Sequence, residues 1–68
     1  MNNKLSKLRD TKHISQKELA VEMGVSQQTI SSWETDRSLP KPYQMTHLEN
    51  FFGTPKEDIF FASFNFIM

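Results

Sequence analysis

Residues 16–35, QKELAVEMGVSQQTISSWET, decide how this chain folds. Two short apolar-patterned segments are divided there by Gly24-Val25-Ser26 alone. Gly24 supplies the positive φ that a tight reversal needs. Ser26 is a good first residue for a new helix, because its hydroxyl can accept from an amide of the first turn. Two capped helices joined by a three-residue, glycine-bearing turn are the helix-turn-helix pattern. Immediately after Ser26 come two long neutral amides, Gln27 and Gln28, an unusual way to start a helix.

Working outward, the other helix starts are equally legible. Ser15-Gln16-Lys17-Glu18 fits the capping box, in which serine and glutamate each satisfy the other's backbone N–H. Thr54-Pro55-Lys56-Glu57 fits it again, with Pro55 at the favoured first helical position. A first helix is expected over about residues 3–12, with Leu5 and Leu8 inward. The third is expected from Gln27 to about Glu34. Pro40 and Pro42 mark a loop, and a fourth helix follows from about 42 to 52, where Met45, Leu48 and Phe52 form an apolar stripe. Gly53 ends it at the position that takes a left-handed backbone. The expected architecture is all-α, with five short helices and tight connections.

The chain has 68 residues, which makes one domain the sensible count. A domain so small buries only roughly 60% of its unfolded surface, so its core has little to spare. It contains no cysteine, which removes disulfides and thiolate metal sites and suits a reducing cytosol. No run approaches the roughly 18 apolar residues of a membrane span, and MNNKLSKLRD lacks the apolar core of a secretory signal. The expected location is cytoplasmic, in a bacterial or phage-encoded setting.

Net charge is zero, but it is unevenly placed. Residues 1–17 carry Lys4, Lys7, Arg9, Lys12 and Lys17 against Asp10 alone; the remainder carries three bases against seven acids. One side of the surface can therefore be positive on a neutral molecule. The uncharged helix supplies the other half of the argument. With Gln27 at zero and about 100° per residue, Gln28 lies near 100°, Ser31 near 40° and Ser32 near 140°. Ile30 and Trp33 fall on the opposite side, near 300° and 240°. Solvent thus meets a face of Gln27, Gln28, Ser31 and Ser32, where an ordinary surface favours Lys and Glu. The major groove admits one α-helix, glutamine can pair bidentately with adenine, and serine can donate or accept at any base edge.

These residues carry a resemblance. Residues 16–35 look like the helix-turn-helix of the Cro and phage-repressor family, also called the XRE family: Leu19, Ala20, Gly24, Val25, Ile30 and Trp33 all fall at that family's patterned places. The flanks resemble it too, with Leu-x-x-Leu-Arg before the unit, Ile-Ser-Gln-x-Glu-Leu-Ala leading into it and Thr-Pro-x-Glu-Asp-Ile-Phe behind. The resemblance covers about residues 3–60 and implies a lambda-repressor-like DNA-binding domain. It implies base contacts from Gln27, Gln28 and Ser32, with Ser31 beside them. Phosphate contacts are implied for Gln16, which also braces the recognition helix in relatives, for Lys17, Thr35, Arg37 and Lys41, and for Thr29 where that residue is not simply packed. In relatives an Arg and a Glu at the places of Arg9 and Glu34 form an inward ion pair, so these two are expected to be structural. Lys41 departs from the pattern, standing where relatives often cap helix four with Ser or Asp.

No catalytic or metal-binding set competes with this reading. His13 and His47 lack ligands at suitable spacing, no nucleophile has a triad context, and two glycines make no phosphate loop. No enzyme, metal or cofactor is expected. The carboxyl end is a separate matter. Residues 1–60 form the expected DNA-binding domain, and 61–68 an apolar tail. Phe60, Phe61, Phe64, Phe66 and Ile67 crowd that end. They either close the core or form a dimer seam or partner surface, or the 68 residues are the front part of a longer protein. Two functions follow. One is a transcriptional regulator, a repressor by preference, binding a near-palindromic double-stranded operator as a homodimer. The other is a protein-interaction module on the same fold, such as an antitoxin, that uses the aromatic end.

Overall fold

The computed structural model describes residues 3–60. Five helices follow one another: α1 (Leu5–Thr11), α2 (Gln16–Met23), α3 (Gln27–Glu34), α4 (Pro42–Phe52) and α5 (Lys56–Ile59). The chain is all-α over this range, as the sequence implies, and α2 packs on α3, α1 on α3 and α4 on α5.

The caps explain the boundaries. Ser15 Oγ accepts from the Glu18 N–H at 3.0 Å and the Glu18 carboxylate accepts from the Ser15 N–H at 2.8 Å, the complete reciprocal box. Gly24 closes α2 with φ 70°, and Gly53 closes α4 with φ 64°. Ser26 Oγ accepts from the Thr29 N–H at 3.1 Å and starts α3. Lys41 stands at the N-cap of α4, where an ammonium can accept nothing. The helix uses the other half of the box, with Gln44 Oε1 accepting from the Lys41 N–H at 2.8 Å.

Two starts differ from expectation. Helix α1 begins at Leu5 rather than residue 3, because Asn3 is occupied elsewhere. The Asn3 amide donates to the Trp33 carbonyl at 2.8 Å and to Asp36 Oδ1 at 2.7 Å, while its oxygen accepts from the Leu5 N–H at 3.0 Å. One buried side chain thus begins α1 and ties it to the end of α3. At α5 the Thr54 box does not form. Pro55 takes the cap position, Thr54 donates to the Phe52 carbonyl, and Glu49 of α4 reaches across to accept from the Lys56 N–H at 2.6 Å. A long-range carboxylate has displaced the local hydroxyl.

The core is continuous through all five helices. Leu5, Leu19, Ile30, Leu48, Ile59 and Phe60 are fully buried, with Trp33 close behind. Phe60 therefore corrects the assignment of that residue to a dimer or partner surface: its ring fills the centre, where α5 closes the domain. Phe61, Phe64, Phe66 and Ile67 lie outside the described residues. Removing a buried phenylalanine ring costs about 3–5 kcal/mol through lost transfer energy and the cavity left behind. Phe60→Ala is accordingly expected to lower thermal stability by that amount in a melting experiment; an unchanged melting temperature would return the residue to the surface.

Candidate nucleic-acid interface

The uncharged face exists as a surface. Ile30 and Trp33 anchor α3 from behind, and Gln27 and Gln28 are exposed on its first turn. Ser31 and Ser32 are half-buried beside them. Within the described residues, the Gln28 amide and the two serine hydroxyls make no hydrogen bond, which leaves their donors and acceptors open. Gln27 is different. Its Nε2 donates to Gln16 Oε1 at 3.4 Å, so the first residues of α2 and α3 touch across the turn.

Gln16 leads inward from that contact. Its Nε2 donates to Glu34 Oε1 at 3.0 Å, and the other carboxylate oxygen of Glu34 accepts from Arg9 Nε at 2.8 Å. The Arg9 and Glu34 side chains are 15% and 7% exposed, so this pair lies behind the recognition face rather than on it. Arg9 also donates to the Ile14 carbonyl at 2.8 Å, fixing the connection between α1 and α2. The hydrogen bond that Arg9 donates to Glu34 holds its pKa above the ordinary guanidinium value, against the opposing effect of burial. A guanidinium so held stays cationic at any pH the fold meets.

The residues named for phosphate contact divide. Lys17, Arg37 and Lys41 are exposed, on the first turn of α2, after α3 and before α4. Gln16 keeps one Nε2 hydrogen beyond the one given to Glu34. Thr35 is exposed, but its hydroxyl donates back to the Ser31 carbonyl at 2.9 Å, a bond it must release before donating to a phosphate. Thr29 is half-buried, and its hydroxyl lies 2.9 Å from Ser26 Oγ, which makes it part of the α3 cap. The loop that carries Arg37 is tightly held. Ser32 accepts from the Arg37 N–H at 2.9 Å, and Asp36 takes a left-handed turn with φ 62° while its carboxylate holds Asn3. Asn3 is the member of this arrangement that sequence reasoning missed; an Asn two places before an apolar helix was the available signal.

The N-terminal cations are not all available to a ligand. Arg9 is internal, and Lys12 sits over the Phe51 ring, 5.1 Å from its centroid. Lys4, Lys7, Lys17 and Lys12 itself are exposed.

Residues 5–59 match the family described as Helix-turn-helix. An uncharacterized HTH-type transcriptional regulator of Methanocaldococcus jannaschii is 38% identical over 60 residues, covering 88% of this chain and 91% of the relative. Among the described residues, no helix is long and apolar enough to cross a membrane.

Removing one partner of a buried ion pair leaves an uncompensated charge and costs about 3–5 kcal/mol. Arg9→Ala should therefore loosen or unfold the domain, read as a lower melting temperature. A variant that melts normally yet has lost duplex binding would instead make Arg9 a direct contact.

Proposed function

The chain belongs to the helix-turn-helix family of the Cro and phage-repressor (XRE) type, and we propose that it is a sequence-specific, DNA-binding transcriptional regulator. The observation that carries this reading is the free, uncharged face of α3, backed by buried Ile30 and Trp33. Helix α3 enters the major groove. Gln27, Gln28 and Ser32 meet base edges, with Ser31 alongside. Neutral amides discriminate between bases, whereas cations there would strengthen binding to every sequence alike. Lys17, Arg37 and Lys41, with the spare hydrogen of Gln16, grip the backbone around that helix. Thr35 joins them once its own helix bond is released, and Thr29 serves through the cap. The molecule acts in the cytoplasm without enzymatic chemistry.

A homodimer on a near-palindromic operator completes the reading, as a repressor. Two recognition helices about 34 Å apart reach successive major grooves on one duplex face. The apolar tail, residues 61–68, is the natural seam, because the face of α3 must stay open. A protein partner at the same tail is the alternative occupant.

The decisive experiment is selection of bound duplexes from a random pool, followed by titration of the selected site and a scrambled one at two salt concentrations. A selected motif with a clear preference over the scrambled duplex is expected; binding that is equal for all duplexes, or absent, overturns the reading. Gln28→Ala should cost about 1–3 kcal/mol on the selected site and relax one base position. Alanine at Lys17, Arg37 or Lys41 should weaken both duplexes together and reduce the salt slope by about one for each lost phosphate contact.

A further inference from the structure

We propose that Asn3 is a positioning residue for DNA binding: it holds Asp36 in the left-handed turn after α3, and that turn places Arg37 on the phosphate backbone. This rests on the reading of α3 as the groove-binding helix and of Arg37 as a backbone contact.

The end of α3 has the hydrogen bonds of a glycine-terminated helix without the glycine. The Arg37 N–H donates to the Ser32 carbonyl at 2.9 Å and the Asp36 N–H to the Trp33 carbonyl at 3.3 Å, the paired bonds of a Schellman turn. Such a turn needs a left-handed residue, and Asp36 supplies it at φ 62°. Helices α2 and α4 meet the same need with Gly24 and Gly53. An aspartate brings a Cβ that crowds the following carbonyl oxygen in this region, so another contact has to favour the turn.

Asn3 provides that contact. Its Nδ2 carries two hydrogens, and both go to the turn: one to Asp36 Oδ1 at 2.7 Å, the other to the Trp33 carbonyl at 2.8 Å. That carbonyl is the one the Asp36 N–H also reaches. Asn3 Oδ1 accepts from the Leu5 N–H at 3.0 Å, so a flipped amide would set donor against donor. Asn3 is 7% exposed, which keeps water from competing for these bonds.

Two effects reach the duplex. Arg37 is tied through its N–H to Ser32, a proposed base contact, so its place is fixed relative to the groove-facing side of α3. Asp36 is also drawn toward α1. Although adjacent in sequence, Asp36 and Arg37 make no ion pair among the described residues. A carboxylate released beside Arg37 would compete for its guanidinium and repel the phosphate.

The test is titration of the selected duplex over a range of salt, below the melting temperature of every variant used. Arg37→Ala should lower the salt slope by about one, the share of one phosphate contact. Asn3→Ala should lower it equally, add nothing further in the Arg37→Ala background, and add in full to Lys17→Ala. Asp36→Gly should restore the slope of Asn3→Ala, because glycine takes the left-handed turn unaided. A purely structural role for Asn3 would instead lower the melting temperature and leave the slope alone. An Asn3→Ala protein that folds cooperatively with the wild-type slope overturns the inference, as does a further loss in the Arg37→Ala background or no rescue by Asp36→Gly. If Asn3→Ala does not fold, Asp36→Ala and Asp36→Gly decide the matter: both lose the bond to Asn3, only alanine should lose the slope, and equal slopes overturn the inference. If the wild type prefers no duplex, the regulator reading falls and this inference with it; a selected site whose slope ignores Arg37→Ala sinks the inference alone.

Discussion

Three segments of the chain meet on the carboxylate of Glu34. Arg9 of α1 and Gln16 of α2 each hold one of its oxygens, and Glu34 itself ends α3. Apolar contacts through Ile30 and Trp33 bring α3 to the core, but burial of apolar area is non-directional and tolerates some rotation about the helix axis. Hydrogen bonds to a carboxylate do not, since their strength falls steeply as angles depart from linear. The ion pair therefore adds directional bonds to that apolar anchoring, tying the end of α3 to α1 and α2.

That division of labour explains what the sequence made legible. The five helices, the Ser15 box, the Ser26 cap and the glycine stops are local events, decided within about four residues, and a reader of the sequence can find them. The same holds for the outward face of α3, which needs only the helical period. Interactions between distant segments were less visible. Thr54 is a good local cap, yet Glu49 takes the N–H it was suited to orient, because the fold brings α4 against α5. Asn3 resembles an unremarkable terminal polar residue until Trp33 and Asp36 are folded against it. For Phe60 the sequence left core closure and a surface role both open; the closing of α5 over the core places it inside. The Arg9–Glu34 pair was reached through family resemblance, not from spacing. The bracing of α3 by Gln16 likewise came from resemblance; that it acts on Glu34 needed the fold, because no local rule joins residues 16 and 34.

Zero net charge on a DNA-binding protein also takes on a meaning. Of the eight basic residues in the chain, Arg9 is internal, Lys56 is paired with Glu49 and Glu57, and exposed Lys12 also contacts the Phe51 ring. Each phosphate contact strengthens binding to every sequence and steepens its dependence on salt. On the proposed reading, discrimination comes from groups that read bases rather than from added phosphate contacts. The proposed role of the α3 face fits that requirement, with amides and hydroxyls where cations would add affinity without selectivity. Such amides discriminate only if their orientation is fixed, because a freely turning glutamine offers either end to any base edge.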